Sequence, residues 1–332
     1  MMQPVPAVVV GETVGQPGAD EAAGRIGAPF FRMLELPPLV GSEEDGRPIA
    51  VVAADPWRPM RVFAGSEAGS LTARGAVARP ATVGVAIGAL SPGVRHRWDE
   101  SNVLLVRVEG LAPQSRSEAA VLAGANAAAI ETALGWELLQ FRSATLIGGG
   151  VWRLAGLLRG QQGSAPSGSM DGAVVVFLDQ APQRAESSRA ERGLPLIWRA
   201  GQAGGPAGGA AVSEVAFTTS GLHERPWSPA HAKASPRDDG GLELSWIARK
   251  RIDGDRWDGD GEGGGPSRFR VRVLDGLDAV RAFEIEGAAA TYAAADVADD
   301  FPAGLSDDSR ALVAQWGDGY GWGLEASIRL AG

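Results

Sequence analysis

Apolar positions in the first third of the chain fall into short runs: Phe30–Leu36, Ile49–Ala53, Met60–Ala64, Thr82–Ile87 and Val103–Glu109. Turn formers separate them, among them Pro37-Pro38, the acidic Ser42–Gly46 and Asp55-Pro56. Short apolar runs bounded by such residues predict strands. Trp136–Leu146 and Val151–Leu158 flank Gly148-Gly149-Gly150, which predicts a hairpin. The β-branched run in Ala173–Leu178 predicts a strand buried on both faces. After the Gly-, Pro- and Ala-rich Gly201–Ala211, Glu214–Thr219 predicts one more strand. Helical periodicity is confined to Ser117–Leu134. There Leu122, Ala125, Ala129 and Ala133 share a face, Ser115 and Glu118 fit a capping box, and Gly135 suits the C-terminal cap. Gly124 weakens this helix, and docking onto its own β-domain is its expected use.

The C-terminal third alternates most cleanly. Pro226 and Pro229 precede it; Leu242, Leu244 and Trp246 alternate with polar residues; Arg268–Val273 places arginines on one face and Phe269, Val271 and Val273 on the other. Ala289–Tyr292, Leu312–Trp316 and Leu324–Leu330 follow. About seven short strands around one central Trp in roughly a hundred residues predict a β-sandwich.

Composition supports this mainly β picture. The 47 glycines and 21 prolines among 332 residues suit many strands joined by turns. A net charge of −9 argues against nucleic-acid binding, which draws on clustered Lys and Arg. Without cysteine there is no disulfide, thiolate metal site or Cys nucleophile. Residues 1–28 read as an arm or linker with no basic signal region, and no run approaches the roughly 18 apolar residues of a membrane span. The expectation is a protein made in the cytoplasm without export.

Little in the chain invites catalysis. His96, His223 and His231 stand in separate loop-like contexts, and no nucleophile elbow, phosphate loop or zinc spacing is present. No catalytic residue, metal or cofactor is therefore expected. Asp258, Asp260, Glu262 and Gly263 begin a calcium-loop pattern, but Phe269 stands where its bidentate Glu belongs. Glu137 and Glu109 are the acids a glycosidase reading would use, although both lie beside strands. Ten Trp against two Tyr is unusual. Trp136, Trp152 and Trp246 sit within apolar strands and are expected in cores, whereas Trp257 and Trp322 fall in Gly-rich segments. In a sandwich, the loop after the second strand and the loop before the last leave the same end. That would gather Trp257, Tyr320 and Trp322 beside Asp255, Asp258, Asp260 and Asp318 as a contact surface, for a neighbouring subunit before a glycan.

The C-terminal segment, with prolines before its first strand, a core Trp in the second, a Tyr in the fifth and a Gly-rich loop before the last, resembles a fibronectin type III domain. The runs Leu122–Asn126, Gly135–Arg142, Leu154–Gly163, Arg225–His231 and Arg251–Trp257, in this order, resemble the C-terminal part of the large baseplate protein of gene transfer agents and related tailed phages, a family labelled host-specificity or tail-tip protein. The resemblance runs from about Phe30 to the end. The hub and TIM-barrel-like domains that such proteins carry upstream find no match, so the expectation is a split gene or a fragment. It implies an arm (1–28), a β-rich tail-tip domain (29–222, helix near 117–134) and a fibronectin type III-like domain (225–332). It also implies a non-enzymatic role at the tail tip of a phage-like particle: closing the tail channel and contacting or penetrating the host envelope. Self-association as a trimer, other tail or baseplate proteins, and envelope glycan or membrane are the partners it implies. The rival readings are a cell-surface carbohydrate-binding module and an envelope-active glycoside hydrolase.

Overall fold

The computed structural model describes residues 27–39, 45–178, 182–204, 211–251 and 267–331. The chain is mainly β. It opens with an antiparallel ribbon of β1 (Phe30–Leu34) and β2 (Ile49–Ala53), followed by β3 (Met60–Gly65) and β4 (Thr72–Val77). It then builds a closed barrel from β5 (Val83–Ala86), β6 (Leu104–Glu109), the short helix α1 (Glu118–Leu122), β7 (Ala127–Thr132), β8 (Gly135–Gly148), β9 (Val151–Leu158) and β10 (Val174–Phe177). Strand order around the barrel is β10-β5-β6-β9-β8-β7. Leaving the barrel, β11 (Leu196–Gln202) pairs with β3, and β12 (Val212–Phe217) adds outside it, giving the sheet β12-β11-β3-β4. The barrel is thus an insertion between two strand pairs of one sheet.

Layering explains the hydrophobic pattern. In β10, Val175 and Phe177 point into the barrel, while Val174 and Val176 point out against Leu34, Ile49 and Val51 of the ribbon. All four β10 residues are buried, as a strand covered on both faces requires. The ribbon is likewise covered twice: its opposite side, Phe31, Met33, Ala50 and Val52, packs on Met60, Val62, Trp198 and Ala200. Closure leaves the barrel without free edges, and Leu104, Val106, Ile130, Leu139, Phe141, Leu154 and Leu157 fill its interior.

The long helix expected near 117–134 is not formed. Ser117, not Ser115, is the N-cap, accepting from the Ala120 amide at 3.3 Å, and α1 ends at Leu122. Gly124 at φ +104° and Asn126 at φ +56° turn the chain, and Ala127–Thr132 enters the barrel as β7. Ala has high helix propensity, but Ala128 and Ile130 face the barrel interior while Ala129 faces the ribbon. Tertiary burial on both faces outweighs local preference, which is worth only fractions of a kcal/mol per residue. Gly135 serves the β7–β8 turn instead of a helix cap. Trp136 and Trp152 are half-buried at the margins of their cores, and the fully buried indole of this half is Trp198.

The C-terminal unit comprises β13 (Ala230–Pro236), β14 (Leu242–Ile247), β15 (Arg268–Asp275), β16 (Asp278–Glu286), β17 (Ala289–Tyr292), the helix α2 (Ala294–Asp300), β18 (Arg310–Gly317) and β19 (Gly321–Arg329). Its sheets, β13-β14-β17 and β16-β15-β18-β19, form a three-on-four, fibronectin type III-like sandwich. Trp246, 4% exposed, lies 5.3 Å from the Phe269 ring in a core shared with Leu244, Val271, Tyr292, Val313 and Ile328. Among the described residues no helix is long and apolar enough to cross a membrane.

Candidate contact surfaces and the buried polar network

The arginines that alternate along β15 do more than face water. Trp316 of β18 and Trp322 of β19 meet edge to face, with centroids 5.0 Å apart. Arg268 lies 4.9 Å from the Trp316 ring and 5.5 Å from Trp322, and Arg270 lies 5.0 Å from Trp322. Arg272 then forks onto Glu325 at 2.9 and 2.8 Å, while Arg268 bonds Glu284 at 3.0 Å. The result is a ladder of alternating cations and rings on the outer face of the four-stranded sheet. Each stacked pair at such an exposed site contributes about 0.5–1 kcal/mol.

Trp322 therefore belongs to a strand, not to a loop, and its ring is engaged by the chain's own arginines. Asp318 sits in the β18–β19 turn and accepts the Trp316 indole N–H at 3.0 Å. Tyr320, in the same turn, lies near Arg225 at the start of the sandwich. Trp257, Asp255, Asp258 and Asp260, with the calcium-like pattern through Glu262 and Gly263, lie outside the described residues. The structure thus brings Tyr320 and Asp318 to one turn and places Trp322 beside it.

That turn meets the upstream half at a joint built from carboxylates. Glu35 accepts from the Ser220, Gly221 and Leu222 amides at 2.7, 2.6 and 2.8 Å, and from the Ser220 hydroxyl at 2.9 Å. Glu224 receives both Nη atoms of Arg192, at 2.9 and 2.6 Å, and Arg189 at 2.9 Å. Arg192 also donates to the Gly319 carbonyl at 3.1 Å, tying the β18–β19 turn to the same cluster. Gly163, at φ +75°, suits the point where the barrel meets the sandwich, with Leu324 and the Trp227 ring close against it. His223 lies flat over Gly46 with Nε2 3.4 Å from Glu224, and its Nδ1 is buried without a partner. Burial, reinforced by the Arg192 and Arg251 charges, holds its imidazole below the ordinary value despite the opposing pull of Glu224 and Glu35. Arg251 is drawn down to about 10, chiefly by burial and also by Arg225, with Glu224 opposing. His96 and His231 take positive φ at 61° and 49° elsewhere in the chain.

At one end of the barrel lies a polar network centred on Glu137 and Arg159. Arg159, with no exposed side-chain surface, forks onto Glu137 at 2.6 and 2.9 Å. Its Nη1 also reaches the Ser91 carbonyl at 3.1 Å and Asp99 at 3.4 Å, while the Gly160 amide donates to Glu137 at 3.1 Å. Burial pushes the Asp99 carboxyl up, but hydrogen bonds from Asn102 and Ser101 and the Arg159 charge outweigh it and hold that group low. Glu137 is thus committed to a buried ion pair, whereas Glu109 is exposed at the end of β6. The signal for this pair was present as Glu137 in Gly135–Arg142 and Arg159 in Leu154–Gly163, two motifs that form the β8–β9 hairpin.

Comparison with known proteins gives one family match. Residues 81–176 match the model of the family described as Rcc01698-like, C-terminal. Those bounds are nearly those of the barrel, β5 through β10. No curated protein matches the chain. Among solved structures, domains A168-A170 from titin align at 10% identity and a TM-score of 0.21, covering 91% of this chain and 97% of that one. The chicken CNTN1 FN1-FN3 domains align at 11% identity and a TM-score of 0.20, covering 92% and 98%. Neither overlap assigns a function.

Proposed function

We propose that this chain is a structural component of a phage-like tail tip or baseplate of the gene transfer agent type, repeated around the tail axis in three copies. The observation that carries the reading is the barrel. The two motifs on which the tail-tip resemblance chiefly rests, Gly135–Arg142 and Leu154–Gly163, are one hairpin of the barrel that the family model matches. Their most distinctive polar members, Glu137 and Arg159, are joined to each other and buried. Side chains that an enzyme would hold in a cleft here hold strands together. A glycosidase reading loses Glu137 on this ground, and a sugar-binding reading finds the Trp316 and Trp322 rings already stacked by arginine.

The test is electron cryomicroscopy of particles released by a producing strain, with and without the gene. Density for barrel, sheet and sandwich in three copies at the tail tip is the expected result. Particles that lack the protein yet adsorb and deliver normally would sink the proposal, and six copies would sink the threefold part. Neighbouring tail or baseplate proteins would be identified by cross-linking within those particles.

A further inference from the structure

The end of the barrel opposite the Arg159 network carries exposed apolar and cationic groups. β8 outruns β7, so the β8–β9 hairpin extends beyond the β7 edge of the barrel while β6 runs beside it to the turn. Its tip exposes Leu146 and Ile147, each 55% accessible, ahead of three glycines. Beside it, Val108 of β6 donates to the Gly150 carbonyl at 3.1 Å. The following loop leads through Leu111, 62% exposed, and then along β8, with Ser115 bonding Ala144 and the Arg116 amide bonding the Arg142 carbonyl.

That loop walls a cavity of about 430 Å³ between the barrel end and the ribbon. Its lining is largely aliphatic, including Val51, Val77, Ala81, Leu111 and Val176, with no carboxylate among the described lining residues. Arg79 and Arg116 border it, both exposed and neither in an ion pair among the described residues. Arg107 and Arg153, also exposed and unpaired among those residues, flank the hairpin on the outer barrel face, where Glu109 is the neighbouring acid. In a chain of net charge −9, four exposed arginines without an ion pair among the described residues stand at this end.

We propose that this end of the barrel binds anionic phospholipid at a membrane surface. The cavity takes an acyl chain, Arg79 and Arg116 take the phosphate, and Leu146, Ile147 and Leu111 enter the interface. The volume lies within the range of about 300–1,000 Å³ typical of ligand cavities, with mainly apolar walls and few polar groups. Exposed aliphatic side chains on a hairpin tip, beside cations, are the pairing that anchors proteins to anionic bilayers without spanning them. This sharpens one part of the particle reading, contact with the envelope. It is tested on the isolated chain, so either can fail without the other.

The experiment is co-sedimentation of the full chain with vesicles of phosphatidylcholine alone or mixed equally with phosphatidylglycerol. Binding to the mixed vesicles, weakened by salt and much lower on phosphatidylcholine, is expected. Arg79→Glu with Arg116→Glu should weaken it roughly thirtyfold or more, since each basic residue near an anionic surface is worth about 1 kcal/mol. Leu146→Ser with Ile147→Ser should weaken it about tenfold or more by removing apolar insertion. All four positions are exposed, so unchanged melting curves will show that the variants fold. Wild-type chain left in the supernatant, variants that bind as well as wild type, or self-association through this end with vesicles unbound would each overturn the proposal.

Discussion

Replacing Arg159 by Met tests the account of the barrel most directly. The side chain is fully buried and supplies three donors: Nε to Glu137 Oε1, Nη2 to Glu137 Oε2, and Nη1 shared between the Ser91 carbonyl and Asp99. Methionine fills much of the aliphatic stem but leaves Glu137, which has no exposed surface, with only the Gly160 amide. Breaking a buried pair by removing one partner typically costs about 3–5 kcal/mol, because the remaining charge stays uncompensated. The double change Arg159→Met with Glu137→Leu removes both charges and should recover much of that loss, since well-packed apolar replacements of buried pairs are often neutral. Asp99 keeps its Asn102 and Ser101 bonds in both variants and so does not cancel the comparison. Hydrogen exchange read peptide by peptide over β8 and β9 is the suitable assay, because a chain of several folding units has no single unfolding free energy. A single variant protected to within about 1 kcal/mol of wild type would refute the buried-charge argument. A double variant less protected than the single one would refute it equally.

Further outcomes follow from the sandwich and the joint. Trp246→Ala should destabilise residues 225–332 by about 3–5 kcal/mol, the range for emptying a buried aromatic site, read as the shift in sandwich unfolding; a negligible shift would mean the core is misassigned. Trp322→Ala should cost far less, about 1–2 kcal/mol for two arginine contacts and one ring contact, and should leave Arg268 more mobile in side-chain relaxation measurements. His223 has a folded-state value below its unfolded one, so the unfolded or undocked chain binds the proton more strongly. Its contribution is therefore complete above the ordinary imidazole value and declines as pH falls below it, in the acid direction only. Proteolysis of the 219–226 linker should accelerate between about pH 7 and pH 5, and His223→Gln should flatten that response; an identical acceleration in the variant would remove His223 from the explanation.

How far the sequence could be read depended on where each strand's neighbours lay. Strands with one water-facing side, such as β14 and β15, announced themselves by alternation, and β10 announced its two buried faces by Val174, Val175 and Val176. β7 did not, because alanines carry no period and Ala128 and Ala129 are covered from opposite sides by elements far away in the chain. β16 escaped because it is an edge strand whose inward residues, Phe283 and Ile285, are only partly buried among charged ones. β11 is interrupted by Arg199, which bonds Glu214 across to β12, so a strand holding the fully buried Trp198 reads as mixed.

The contact residues were less legible for a related reason. Alternation says that Arg268, Arg270 and Arg272 face away from the core, but not that strands β18 and β19 deliver Trp316, Trp322 and Glu325 to the same face. An acid is equally silent about its partner. Glu35 precedes Pro37-Pro38 and reads as a strand-end charge, yet its carboxylate gathers the backbone of residues 220–222, nearly two hundred positions later. Glu224, two residues beyond, gathers Arg189 and Arg192 and, through Arg192, the Gly319 carbonyl. Two carboxylates thus connect the first strand pair, the segment after the barrel and the last hairpin of the sandwich. Charge-assisted bonds of this kind are roughly twice as strong as neutral ones. Concentrated on a linker of a few residues, they oppose the free domain motion that a short polar connection would otherwise allow. These bonds restrain the sandwich against the half that carries the barrel. Such a restraint suits the proposed tail-tip role. It makes Glu35→Ala, with no role in either core, the substitution that should loosen the whole while leaving each unit folded.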